Sequence, residues 1–422
     1  MISPELAQIG PAVEAGFSKA RPGAALTLRI VAQAPEQSVG LVGQVAGQGL
    51  SALGGAPPVD MGAATRAANL ATDTFAPGLL ETLTVGGVLR GLPLLLIPTC
   101  MSYSPDVDPA VLGDWTSLAG RTKADPLHYV LDAGTLLTPA IWLSFIAGSG
   151  GTLTGGDGQV ALGAAGAFSG LGRLLDVLQA SQAPSWSCTG TLGVWEASVA
   201  NVTRIAAFTS SPQVTLAFHL ARLPAFPSGD LVPFRQAPFV IRDSGGAQPE
   251  AGAVPSDEAV PFFLSFVRWL YAPAQQQLLM TIGCPPVIAD SALAAEWRQG
   301  TRFARGVAAA GLGRATPVSL YRNVFTGYPP TLDSTVFTVP PASYVGAYLA
   351  ACVQGKATWD ASSATTLSQK LNQAVALVGA AENGSAQPQA YAALWQEWQD
   401  AWGFPTAGAG GSGRVPWVSQ CF

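Results

Sequence analysis

The chain has 422 residues, of which 49% are apolar and only 11% charged, with a formal net charge of −5. Ordinary domains carry roughly 25% charged residues, so charge-driven disorder is excluded for the bulk of this chain. Seventeen Arg and four Lys face 26 acidic residues without forming any basic run, which excludes a nucleic-acid binder built on basic patches.

At roughly 150 residues per domain the length fits two or three domains, or one two-lobed unit. The longest uncharged stretch runs from Ala133 to Gly156, but its dense apolar part, Leu136 to Ala147, contains Pro139. That is short of a ~20-residue membrane span and reads as a buried helix. Arg90, Pro93 and Pro98 break the apolar segment Val85 to Met101. The start, Met1 to Glu5, lacks the basic and apolar regions of a signal peptide, which leaves a cytosolic protein or a mature or trimmed chain as the alternatives. The five cysteines, Cys100, Cys188, Cys284, Cys352 and Cys421, form no CxxC pair and have no histidine nearby, so a zinc site is not expected.

In chain order, Leu6, Ile9, Val13 and Phe17 recur at helical spacing and predict a helix over Pro4 to Lys19, ended by Pro22-Gly23. Alternation predicts a strand at Leu26 to Ala34. A helix is expected over Val39 to Leu53, a turn and short strand up to Asp60, and a strand from Val88 to Leu96. This alternation argues for α/β units with a mostly parallel sheet. Prolines then bracket an extended piece, Ile97 to Pro105. Helices are predicted at Pro109–Arg121, Thr138–Ala147 and Ala164–Leu178. Strands are predicted at Gly190–Trp195, Val214–Leu220 and Pro238–Arg242, with a loop over Pro224 to Gln236. Val260, Phe263, Leu264, Val267 and Tyr271 share one helix face, and Pro273 opens a second helix. Arg298 to Gly327 is ambiguous. Ser343–Val353 and Thr366–Ala380 read as helices, the latter with Asp360 as a plausible N-cap. Tyr391, Leu394, Trp395, Trp398 and Trp402 form an aromatic stripe expected to dock as a helix, with a partner site as the alternative, followed by a Gly-rich linker at Gly408 to Gly413.

Catalytic patterns are sparse. His128 and His219 lie near no nucleophile elbow, and the Gly-rich runs at Gly148–Gly151 and Gly155–Gly158 lack the lysine of a phosphate loop. No spacing singles out a pair among the 26 acids. Aromatic residues carry the remaining signal. Trp195, beside Glu196 and Ser198 at a Gly-flanked strand end, suits a sugar: the ring covers C–H groups while polar neighbours bond hydroxyls. Its alternative reading is a core tryptophan.

Several segments, in order, resemble the extracellular solute-binding proteins of bacterial ABC importers, the maltose-binding-like, family 1 sugar-binding group. Phe17 to Gly23 (F-S-K-A-R-P-G) resembles that family's "F-x-x-x-x-P-G". Pro58-Val-Asp60 is similar to "P-D-V", and Gly78 to Leu83 with Gly87 to Pro93 to "G-L-L-x-x-L … G-x-x-Y-G-L-P". Tyr103 stands where the family has "Y-N-K", Trp115 to Leu118 resembles "W-D-E-L", and Gly150-Gly151 its paired glycines. Gly190 to Trp195 looks like "G-x-A-A-M-x-x-x-x-W". Phe263 to Leu270, Pro273, Gln275 to Gly283 and Pro286-Val287 are similar to "A-x-x-F-x-x-w-L-x-s-P-E-x-Q … G-x-x-P-V". The chain departs from the pattern in three places: it begins at the family's first helix, it reads Pro-Val-Asp for Pro-Asp-Val, and it has Tyr-Ser-Pro for Tyr-Asn-Lys.

The resemblance implies an α/β, two-lobed periplasmic-binding-protein fold (type II, hinge-linked lobes) lacking the first N-lobe strand, through a wrongly assigned start or a trimmed chain. It implies an N-terminal lobe of 1–98 and 240–300, a C-terminal lobe of 99–239 and 301–385, and a C-terminal helical extension and tail of 386–422. The chain would cross at Ile97–Ser102, near Phe239–Asp243 and near Gly300. A sugar, oligosaccharide or related polar small molecule would sit between the lobes and pass to the ABC-transporter permease. Ligand contacts would come from Asp60, Thr99, Trp142, Trp195, Glu196, Phe234, Arg235 and Tyr321, with Met101 also at the crossover. The same resemblance implies no enzyme activity, cofactor or metal, and no nucleic-acid partner. It implies a monomer in the periplasm or another extracytoplasmic space, membrane-associated only through a lost signal or lipid anchor, as a lipoprotein is. A carbohydrate-active enzyme, marked by converging carboxylates or a His-centred site, and a cell-surface scaffold, marked by the lack of an interlobe pocket, stay open as alternatives.

Overall fold

The computed structural model describes residues 4–23, 41–43, 60–67, 69–75, 79–80, 83–85, 88–89, 91–103, 107–125, 137, 139–180, 192–196, 219–221, 223–229, 234–241, 256–281, 284–300, 341–382 and 387–402. The strand expected at Leu26–Ala34, the linker Gly408–Gly413, Tyr321 and most of Arg298–Gly327 lie outside these residues.

Two hydrophobic cores that share no residue organise the chain. The first runs from Ile9 to Leu96 and again from Phe239 to Trp297; the second runs from Met101 to Phe226 and again from Ala342 to Trp398. The chain therefore passes between cores within 97–100, within 227–238 and within 298–341.

Helix α1 (Pro4–Ala20) places Ile9, Val13 and Phe17 in the first core. Phe17 meets Phe262, Phe266 and Trp269 edge-on, with ring centroids 5.6, 5.2 and 5.6 Å away, the arrangement that aromatic quadrupoles favour. The described part of the expected helix at Val39–Leu53 is instead strand β1 (Leu41–Gly43). The turn and short strand expected up to Asp60 lie, apart from Asp60 itself, outside the described residues. The Asp60 Oδ1 accepts from the N–H groups of Gly62 (2.8 Å) and Ala63 (3.2 Å) and caps helix α2 (Met61–Ala67). A small hairpin follows, β2 (Thr84–Val85) and β3 (Val88–Leu89).

Strand β4 (Leu92–Tyr103) continues well past the expected Leu96. It pairs with β5 (Leu192–Glu196), β6 (His219–Ala221) and β7 (Phe234–Ile241), and β7 pairs with β1. Every ladder among the described strands is antiparallel, against the expected mostly parallel sheet. For β4 and β7 the cause is connectivity: their passes between the two cores run in opposite directions. β7 pairs along β4 from Phe234, and Phe239 is buried in the first core, so the return pass precedes the expected Phe239–Asp243.

Helices α6 (Ser256–Leu270), α7 (Pro273–Met280) and α8 (Ser291–Gly300) complete the first core, α8 having escaped the sequence reading. The fully buried Gln276 ties them together. Its Nε2 donates to the Leu270 carbonyl (2.9 Å) and its Oε1 accepts from Val287 N–H (3.0 Å). The Tyr271 hydroxyl donates to the Pro93 carbonyl at 2.6 Å, fixing the α6–α7 corner on β4, and burial holds its pKa well above the usual value.

The second core forms around α3 (Trp115–Ala124), α4 (Pro139–Gly148), α5 (Ala165–Ala180), α9 (Pro341–Val353), α10 (Ala361–Glu382) and α11 (Pro388–Trp402). The expected helix over Pro109–Arg121 is split: a 3-10 turn ends at Leu112, Gly113 intervenes, and Asp114 caps α3. Helices α4 and α5 touch because residue 170 is glycine; a Cβ there would stand 2.5 Å from the Phe145 carbonyl oxygen. Asp360 caps α10, as expected, by accepting from Ser363 N–H at 2.8 Å. On α10, Asn372 exchanges two hydrogen bonds with the backbone of Val160 (2.8 and 3.0 Å), and the Ser368 hydroxyl accepts from Leu162 N–H (2.8 Å). These bonds seal the loop ahead of α5 onto the core. Cys284 and Cys352 are buried thiols. Burial, reinforced by Asp360, pushes the Cys352 thiol up to about 12, so it stays protonated at neutral pH.

The aromatic stripe of α11 lies on this core. Trp395 is fully buried and stacks on Tyr344, with centroids 3.6 Å apart and planes within 8°. Lys370 Nζ donates to the Leu394 carbonyl (2.8 Å) and lies 4.9 Å from the Trp398 ring centroid, a cation–π contact. Replacing Trp395 by alanine is expected to lower unfolding free energy by roughly 3–5 kcal/mol. Urea denaturation followed by circular dichroism checks this; an unchanged midpoint would contradict the docking.

The α3 cap has a pH signature. Asp114 accepts from Ser117 Oγ (2.7 Å) and Ser117 N–H (2.8 Å), bonds that hold its carboxyl below the usual value. A depressed native pKa adds stability above the unfolded-state pKa of about 3.9, and that stability fades as pH falls through the native value. Asp114→Ala is expected to cost about 1 kcal/mol at neutral pH. The gap to the unaltered protein should close in acid below about pH 3.9. Melting curves across pH measure it, and a gap that widens in acid would refute the assignment.

Candidate functional site

The geometry that matters begins with β4. Its first half carries Leu92, Leu94, Leu95 and Leu96 of the first core, and Met101 belongs to the second. Antiparallel register brings the flanking strands to the intervening residues. Ile97 lies opposite Arg235 and Pro98 opposite Phe234, at the start of β7. Thr99 lies opposite Glu196 and Cys100 opposite Trp195, at the end of β5. Four consecutive β4 positions thus gather the backbones of five of the eight residues expected to contact ligand.

That gathering follows from the sequence. β7 enters its ladder and β5 leaves its own at the point where β4 passes between cores. Residues 195–196 and 234–235 are far apart in the chain, and register sets both against the same four-residue stretch of β4. They stand where the two cores meet, the position at which a small molecule could touch both bodies together. An acid (Glu196), a base (Arg235), a hydroxyl residue (Thr99) and two aromatic residues (Trp195, Phe234) make a set suited to a polar, hydroxyl-rich molecule. Such sites combine apolar walls with a few placed polar groups.

The other expected residues fall elsewhere. Asp60 is exposed at the start of α2 and is engaged in capping. Trp142 is a correction. It is fully buried in the second core, because α4 is apolar on nearly every side and packs on all of them, so no face of the ring is open to a solute. Met101, expected at the crossover, is likewise fully buried in the second core, opposite Val194 and Ala221. Tyr321 lies outside the described residues. The sequence reading did not single out Ile97 and Pro98 as register partners of Arg235 and Phe234. The signal available was the Pro98-Thr99 step inside an otherwise apolar strand.

Among the described residues no group of three or more His, Cys, Asp or Glu side chains is placed to hold a metal ion. No described helix is long and apolar enough to cross a membrane.

No family model matches the chain, and no curated protein does. Solved structures match it well. The GacH receptor of Streptomyces glaucescens GLA.O, determined unliganded and with acarbose and an acarbose homolog, superposes with a TM-score of 0.57 at 14% identity, over 88% of this chain and 96% of its own. A Synechococcus sp. MITs9220 protein assigned as an oligosaccharide periplasmic-binding protein gives a TM-score of 0.57 at 15% identity, over 89% and 97%. An ABC transporter solute-binding protein from Thermotoga lettingae TMO, bound with α-D-tagatose, gives 0.51 at 12% identity, over 76% and 80%. Identities this low speak to architecture, and on architecture they agree: the chain has the two-lobed α/β fold of the solute-binding proteins.

Proposed function

We propose that this protein is the solute-binding component of an ABC importer. It takes up a sugar, oligosaccharide or related polar small molecule between its lobes and hands it to a membrane permease. One observation carries the reading: a single strand, β4, threads from one hydrophobic core to the other, and residues suited to a hydroxylated solute register along it where the cores part. Two bodies joined by extended strands can change angle at little cost in packing, and a solute that touches both biases them toward closure. The structural neighbours support the ligand class, since one was solved with acarbose and another with tagatose.

In this reading Thr99, Trp195, Glu196, Phe234 and Arg235 contact the solute, with Tyr321 and Asp60 as further contacts. Trp195 stacks on the sugar ring, and Arg235 clamps a hydroxyl pair or a carboxylate. The protein acts by binding rather than by catalysis, as a monomer in an extracytoplasmic space. The lobes comprise 1–98 with 240–300 and 99–239 with 301–385, with 234–239 laid against the first.

A thermal-shift screen against mono- and oligosaccharides, polyols and acarbose tests the proposal. A ligand at about one hundred times its Kd adds roughly 2.7 kcal/mol, which displaces the melting temperature by several degrees. The expected result is a saturable shift with at least one carbohydrate; no shift across the panel argues against a sugar. Trp195→Ala should abolish most of that shift while the ligand-free melting temperature holds. Undiminished binding by this variant would remove Trp195 from the site.

A further inference from the structure

The handover of β4 from one ladder to the other falls on one peptide bond. Pro98 is the last β4 residue registered on β7, opposite Phe234, and Thr99 is the first registered on β5, opposite Glu196. The cores part at the same place, with Leu96 in the first and Met101 in the second. Any change of angle between the two bodies must be absorbed, in this strand, by the backbone dihedrals of residues 97–100.

Those dihedrals are not equally free. The pyrrolidine ring fixes φ of Pro98 near −65°. Ile97, preceding a proline, is confined to the extended region. Pro98 also has no N–H to donate to a ladder. We propose that Pro98 is the stiffening residue of the hinge. It restricts the interlobe angles of the solute-free protein and confines rotation in this strand to its own ψ and to the dihedrals of Thr99 and Cys100. Less conformational freedom then remains to be lost when the lobes close. The consequence for binding rests on the importer reading given above; the stiffness belongs to the chain without solute.

β4 supplies its own control. Pro93 lies opposite Pro238 within the first-core ladder, buried between the buried Leu92 and Leu94. It sits inside one body, so its ring has no bearing on the angle between two.

The test is pulsed electron paramagnetic resonance on the solute-free protein. Spin labels go on unnatural residues at the exposed positions of Lys19, at the end of α1, and Lys356, just beyond α9. The width of the label-to-label distance distribution is expected to grow in the order unaltered, Pro98→Val, Pro98→Ala, Pro98→Gly, because the backbone freedom at residue 98 grows in that order. Pro93→Ala should leave the width unchanged. Equal widths across the Pro98 series, or equal broadening by Pro93→Ala, would overturn the proposal. A chain that binds no carbohydrate would defeat the importer reading and leave the width series standing. A carbohydrate that binds while all widths match would do the reverse.

Discussion

An extended strand that serves two separate cores has to satisfy its backbone hydrogen bonds on different partners along its length. β4 meets that demand by pairing with β7 up to Pro98 and with β5 and β6 beyond it. Once this is fixed, much else follows. The returning strand must run antiparallel, and residues distant in sequence, at the start of β7 and the end of β5, are registered on one stretch of β4. The candidate site lies where the backbone of β4 changes pairing partners.

Each core is built to be rigid without help from the other. In the first, Phe17 is surrounded edge-on by Phe262, Phe266 and Trp269, while Gln276 and Tyr271 lock the helix corner to β4 and to Val287. In the second, Asn372 and Ser368 on α10 satisfy the loop ahead of α5, and α11 closes the far side through Trp395 and Lys370. Close-packed interiors resist continuous deformation, so relative motion concentrates in the strands that join them. The polar residues that serve packing, such as Gln276 and Asn372, are distinct from the polar residues gathered on β4.

Much of this was legible in the sequence where a repeated pattern carried it. The helical spacing of Ile9, Val13 and Phe17, the helix read at Thr366–Ala380 behind the Asp360 cap, and Tyr391, Leu394, Trp395 and Trp398 of the aromatic stripe all keep their places on folding. Other features have no local signature. Strand direction is a property of connections, so antiparallel pairing could not be read from alternating residues. Asp60 is marked as a helix cap only by its bonds to Gly62 and Ala63. The apolar run of α4 announced burial and concealed which way Trp142 would face. The pairing of Arg235 with Ile97, and of Glu196 with Thr99, is register, which the sequence specifies only through the whole sheet.

The central claim is that two independently packed bodies, joined where β4 changes partners, close around a polar solute. Small-angle X-ray scattering during titration with acarbose, maltooligosaccharides and tagatose addresses it most directly. The account predicts a saturable fall in radius of gyration with at least one of these ligands, at unchanged molecular mass. Saturable binding of such a ligand with no change in radius of gyration would contradict it.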